Sequence, residues 1–138
     1  MKGSIEERTF IESISDGRYS LQAVITVTMS GINIYLGGGE RDHIGSIAVS
    51  IPRESLTGSG KISCTTSIFN LLSHKDGDIA IIASEEVCKR TNQVTVVCAG
   101  IHVDNATPDE LRRLEKNARS LTNTIVTKYK KLENNNEK

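Results

Sequence analysis

Tryptophan is absent, and two Phe and three Tyr bring the aromatic content to only 4%. Proteins that hold single-stranded nucleic acid stack its bases on aromatic platforms, so this scarcity counts against that class. No charge sign dominates: 17 Lys+Arg stand against 17 Asp+Glu, with a pI near 6.8. A chain without a basic excess has little with which to neutralise phosphates, and no nucleic-acid partner is expected. No apolar run approaches the ~20 residues of a membrane span. The stretch Met1-Lys2-Gly3-Ser4-Ile5-Glu6-Glu7-Arg8 lacks a signal peptide's apolar segment. The expectation is a soluble, cytoplasmic protein with no membrane contact. Cysteines are few and odd in number, Cys64, Cys88 and Cys98, with no CxxC pair. Neither a zinc ribbon nor a secreted disulfide framework follows, and the cysteines read as small core hydrophobes.

What is present is ordinary for a folded domain: 138 residues, 37% hydrophobic and 25% charged. One domain spanning 1–138 is expected. Phe10 to Ile14 reads as a first strand, and Asp16-Gly17 as its hairpin turn. Leu21, Ala23, Ile25, Val27 and Met29 alternate with more polar residues, the period of a strand with one face on a core. Ile32 to Leu36 follows the same pattern, so the first three strands suggest an antiparallel meander. Gly37 to Gly45 fits neither helix nor strand and is expected to be a loop. A fourth strand runs from Ser46 to Ile51 and ends at Pro52. A flexible connector follows, and Ile62 to Leu71 makes a fifth.

Ser73 to Asp78 reads as a break. From Asp78 a helix is expected, because Ile79, Ala83 and Val87 recur at helical spacing, with a strand over Ile79–Ile82 as the competing pattern. Val94 to Ile101 is almost continuously apolar and suits a strand buried on both faces. The last helix carries the clearest start signal: Thr107 as N-cap, Pro108 at the first position and Glu110 closing a capping box. Leu111, Leu114, Ala118, Leu121, Ile125 and Leu132 form its apolar stripe, and 134–138 reads as a frayed tail. The fold class expected is α+β: a mostly antiparallel sheet of about five to six strands with two helices on one face.

Chemistry concentrates at the ends of these elements. His43, His74 and His102 each sit beside glycine or an acidic residue, and strand-end loops are where functional groups gather. A shared site for at least two of them is one reading; three unrelated surface histidines is the plainer one. Gly37-Gly38-Gly39 can expose successive backbone amides as an anion-binding nest, or form a loose turn with a bulge. His102 and Asp104, two apart along a strand, fall on one side of it and can grip a metal, each other or a polar ligand. Alternatively Asp104 and Asn105 belong to an Asx turn. His74 with Asp76 repeats the pairing, unless Asp76 merely caps a helix. Ser46 and Ser73 are hydroxyls without an activating neighbour, and no GxSxG, HExxH or Gly-Lys-Ser/Thr motif occurs.

Taken together, Gly37-Gly38-Gly39, His43-Ile44-Gly45, His74-Lys75-Asp76 and Gly100-Ile101-His102-Val103-Asp104-Asn105-Ala106-Thr107-Pro108 resemble the LpdD-like family. The likeness runs in order from about Ser20 into the last helix. It implies a non-catalytic chaperone that binds prenylated flavin mononucleotide and delivers it to a UbiD-class decarboxylase of hydroxyaromatic acids. The matching positions implied to bind cofactor are Gly37, Gly38, Gly39, His43, Gly45, His74, Asp76, His102, Asp104 and Asn105. Asp42 departs from the family pattern, where a proline is expected. Two rivals accompany this reading. One is an enzyme in which His43, His74, His102 and Asp104 hold a divalent metal that activates water. The other is a purely structural decarboxylase subunit. A homo-oligomer is compatible with any of them.

Overall fold

A computed structural model describes residues 1–71 and 74–138, and of His74 and Lys75 the backbone alone. Six strands, β1 (Thr9–Ile14), β2 (Leu21–Val27), β3 (Gly31–Gly39), β4 (Arg41–Glu54), β5 (Ile62–Asn70) and β6 (Val94–His102), join two helices, α1 (His74–Thr91) and α2 (Pro108–Glu137). They form one sheet in the order β1-β2-β3-β6-β4-β5. All pairings are antiparallel except β3 with β6. The expected meander and α+β class are therefore present.

Alternation decides which face is covered. Leu21, Ala23, Ile25 and Val27 of β2, Ile32, Ile34 and Leu36 of β3, and Val97, Ala99 and Ile101 of β6 are buried on one face. Both helices lie there. α1 supplies Ile79, Ala80, Ala83 and Val87, and α2 supplies Leu114, Ala118, Leu121, Ile125 and Val126. Polar residues enter this layer only in bonded pairs: Ser50 donates to Ser84 at 3.0 Å, joining β4 to α1. The opposite face carries no helix. β6 is thus not buried on both faces, and Val94, Val96 and Cys98 are only half-buried. Its continuous apolar run reflects a central position, not two covering layers.

Several boundaries differ from the sequence pattern, among them the start of β4, which is Arg41 and not Ser46. β3 continues through Gly39 instead of entering a loop, because β6 pairs with it there, Gly37 with Gly100 and Gly39 with His102. β4 continues past Pro52 to Glu54, where β5 still pairs with it but β6 has ended, so the missing proline N–H breaks no ladder on that side. The helix that begins at His74 takes in Asp76 and Gly77, and no strand forms over Ile79–Ile82. α2 runs to Glu137, so the segment expected to fray is helical. Its start is as read: the Thr107 side chain accepts from the Glu110 N–H, and Glu110 accepts from the Thr107 N–H. Ser73 lies outside the described residues.

The β1–β2 turn is docked on α2 by charge. Asp16 Oδ2 accepts from Arg113 Nε at 2.7 Å and from Asn117 Nδ2 at 2.9 Å. Arg113 also lies over the Tyr19 ring, 4.6 Å from its centre. The Arg113 and Asn117 hydrogen bonds lower the Asp16 carboxyl from 3.8 to about 2. A group depressed by folding stabilises the fold above its unfolded pKa, and loses that effect as pH falls through the folded value. Asp16→Asn is therefore expected to melt at a lower temperature than the parent at pH 7. The gap should close between about pH 4 and pH 2, as followed by circular dichroism. A gap that persists at pH 2 would show that the charge is not what docks the turn.

Candidate functional site

Most of the predicted site residues meet at one end of the sheet, where β3, β6 and the start of β4 converge. Arg41 pairs with His102 and Asp42 with Ile101, after which a bulge between Asp42 and Ser46 lifts β4 off its neighbour. The bulge places the His43 carbonyl over Gly100, where even a β-carbon would overlap it. Tyr35 Oη donates to that same carbonyl at 2.8 Å.

Two imidazole–carboxylate pairs result. His43 Nε2 lies 3.0 Å from Asp76 Oδ2. Asp76, 1% exposed, also accepts from the Ile101 N–H through Oδ1 at 2.8 Å. Asp76 is not a surface cap but a buried strut from the first turn of α1 to β4 and β6, where the helix dipole favours a carboxylate. Gly45 makes room for it, since a side chain there would run into the Asp76 carboxyl. The second pair is exposed. His102 Nε2 lies 2.6 Å from Asp104 Oδ1, although the strand that would align them by spacing ends at His102 and Asp104 lies in the turn beyond it. The His102 hydrogen bond holds the Asp104 carboxyl below its usual value, helped by His102 charge and, more weakly, Arg41 and Arg18. Arg18 donates to Asp104 O at 2.9 Å, and the Asp104 N–H donates to Glu40 at 2.8 Å. Asn105 takes a positive φ of 51° in the turn leading to Thr107.

The glycines do not form an anion nest. The Gly39 N–H donates to Ser20 O at 2.9 Å and the Glu40 N–H to His102 O at 2.7 Å. Their use is close approach: at Gly38 and Gly39, both of positive φ, a β-carbon would meet the backbone of Ser20 and of His102. Amides committed to the ladder are not available to a phosphate.

Two cavities flank this end. One, of about 290 Å³, opens between the first turns of α1 and α2 and the end of β6. Ile79, Ile101, Val103, Leu111 and Leu114 wall it, Asp76 lies within it, and Arg112 and Glu115 stand at α2. The other, of about 350 Å³, lies on the side of the sheet without helices and is lined by Gln22, Val24, Tyr35, Gly37–Gly39 and Glu40–Asp42. The predicted residues are therefore divided: Asp76 belongs to the helix-side cleft, and the triglycine to the other. Neither His43 nor His102 lines either cavity. The imidazole of His74 lies outside the described residues. Among the described residues no three His, Cys, Asp or Glu side chains are grouped to hold a metal. The metal-dependent reading gains nothing from a geometry in which each described imidazole bonds a carboxylate of its own.

The cleft walls were missed by the sequence reading, which took Ile79, Leu111 and Leu114 as core. The signal for them is indirect. Ile101 and Val103 sit between a glycine and a helix N-cap, so they close a strand at a place where two helices start. Arg112, on the first turn of α2, adds a cation beside those apolar walls.

Comparison with known proteins covers most of the chain. The sequence profile described as the prenylated flavin chaperone LpdD-like domain matches residues 15–130, which includes every predicted site residue. No curated protein sequence matches the chain. Among solved structures, one described as the crystal structure of a novel chaperone complex for yeast 20S proteasome assembly has a similar fold. It superposes with a TM-score of 0.61 at 15% identity, covering 87% of this chain and 94% of that one. At that identity the likeness is one of fold alone.

Proposed function

This chain belongs to the prenylated flavin chaperone LpdD-like family, and from that premise we propose that it binds prenylated flavin mononucleotide and hands it to a UbiD-class decarboxylase. The single observation that carries the binding part is the helix-side cleft, whose chemistry fits such a ligand. Its Ile79, Ile101, Val103, Leu111 and Leu114 walls suit an apolar ring system with a prenyl-derived ring. Asp76 keeps lone pairs beyond its two present partners and can accept from a ring N–H. Arg112 is the one cation among the described lining residues and is paired with Asp109, while Asp78 and Glu115 line the cleft as well, so the phosphate belongs in solvent beyond the rim. A space of about 290 Å³ is at the small end for such ligands and holds the ring system with the phosphate chain left beyond the rim.

When bound, the cofactor would supply the electrophilic chemistry that a decarboxylase uses. This chain's own residues would bind, orient and shield it. His43 acts through Asp76 as a positioning residue, fixing the carboxylate against Ile101. His102, Asp104 and Asn105 hold the segment that carries Val103 along the cleft. Gly37, Gly38, Gly39 and Gly45 permit the close strand contacts beneath it. His74, the first residue of α1, stands beside the same cleft in sequence.

The test is a titration of purified protein with prenylated flavin mononucleotide under anaerobic conditions, read by flavin absorbance and calorimetry. Saturable binding is expected, and Leu111→Trp, which fills the cleft from its rim, should weaken it at least ~10-fold while leaving the far-ultraviolet circular dichroism unchanged. Absence of binding, or binding indifferent to Leu111→Trp, would overturn the cleft assignment. Delivery is tested separately, by whether loaded protein restores activity to a cofactor-free decarboxylase faster than free cofactor does.

A further inference from the structure

The sheet face that bears no helix has a pattern of its own. One row of paired residues crosses all six strands: Ile11, Val24, Tyr35, Cys98, Ile47 and Phe69. The row beside it, two residues along each strand, is Thr9, Thr26, Asn33, Val96, Val49 and Ser67, no larger than its neighbour on any strand except β6, where Val96 exceeds Cys98. Neither row contains a charged residue, although 25% of the chain is charged. Ile11 and Phe69 at its two ends are 60% and 64% exposed. Charge returns at the margins, with Glu40, Arg41 and Asp42 at one end and Arg53, bonded to Thr65, at the other.

We infer that this face binds a second copy of the same chain, forming a two-fold sandwich in which the strands of the two sheets run antiparallel across the interface. A two-fold axis lying between the sheets and perpendicular to the strands sets each strand against its own copy in reverse. Centred between the two rows, it brings the large row of one protomer onto the small row of the other. Phe69 then meets Ser67 of the second copy, Tyr35 meets Asn33, and Ile11 meets Thr9. Counted from the Ala48–Val97 pair at the centre, the same operation brings Arg41, beside His102, opposite the second copy's Arg53, a like-charged contact left at the solvated margin. A parallel arrangement would set the two large rows against each other and forfeit the size match. Packed sheets commonly sit about 10 Å apart with such interdigitation and an angle of about 30°. Six strands about 4.8 Å apart and about seven residues long give a face of roughly 700 Å², near the ~800 Å² per partner of a stable interface.

Sedimentation equilibrium of the full chain is the experiment. At ~50 µM the parent should be a dimer, since well-matched interfaces of this size bind at micromolar affinity or better. Ile47→Glu should raise the dimer dissociation constant at least ~30-fold. Val24→Lys, at a more exposed position, should do the same and decides the matter if Ile47→Glu fails to fold. Arg53→Glu, which turns the like-charged contact with Arg41 into an opposite one, should tighten the dimer several-fold. A parent that stays monomeric overturns the inference and leaves the face to a different protein. A dimer untouched by Ile47→Glu and Val24→Lys, if both fold, places the interface elsewhere. A dimer that responds to them but not to Arg53→Glu overturns the antiparallel arrangement.

Discussion

Gly100→Ala is expected to lose about 3 kcal/mol of stability, the upper range for forcing extra volume into packed structure. Gly100 has an ordinary φ, so the cost is wholly steric. Its new β-carbon would occupy the position of the His43 carbonyl. That carbonyl is backbone, and it is held in place from two sides. Tyr35 Oη donates to it, and the His43 imidazole is tied to Asp76. Relief therefore requires the β4 bulge to move as a unit, which pulls Asp76 from Ile101 as well. For a chain of this length, 3 kcal/mol corresponds to a fall in melting temperature of about 10 °C. Gly58→Ala is the contrast. Gly58 has φ +72° and nothing within reach of a β-carbon, so only the left-handed backbone penalty applies, about 1–2 kcal/mol. Thermal melts of the two variants should differ accordingly. Equal losses would mean that the bulge yields easily and that the His43 geometry is soft.

Asp76→Ala is the second large effect, with an expected loss of about 3 kcal/mol in denaturant titrations. The substitution strands the buried Ile101 N–H and removes the partner of His43. Asp76→Asn keeps an oxygen for the Ile101 N–H and turns its amide toward His43, which can accept through Nε2. Its loss should be nearer 1 kcal/mol. The pair separates structure from ligand binding. If the cleft holds prenylated flavin through the carboxylate, Asp76→Asn folds well yet binds the cofactor at least ~10-fold more weakly. If it binds as the parent does, Asp76 is a strut and nothing more. His43→Ala should reproduce part of the stability loss, because the half-exposed imidazole leaves room for water to take its place at Asp76.

The likeness to the LpdD-like family was legible in short glycine, histidine and acidic stretches, and the profile match over residues 15–130 bears it out. How those residues are arranged was less legible. His102 and Asp104 do meet, but not by the strand rule: β6 ends at His102, and Asp104 is brought back to it by the turn that Arg18 and Glu40 hold. His43 and Asp76 are 33 positions apart. Nothing local links them, and Asp76 alone reads equally well as a cap. Gly37–Gly39 was read as a loop because three glycines carry no side-chain period. The chain stays extended there only because β6 offers Gly100 to His102 as a parallel partner. The same commitment of amides removes the anion nest that a glycine run suggests in isolation.

Alternation in β2, β3 and β4, the helical stripe of α2 and its capping box follow from interactions within a few residues, so those elements and the α+β class were determined by the chain's own local chemistry. The parallel pairing of β3 with β6, the apolar row left open on the face away from the helices and the cleft between two helix starts were decided by tertiary structure. Each depends on contacts between segments far apart in sequence, where hydrophobic burial and backbone pairing choose among partners that local patterns leave equivalent.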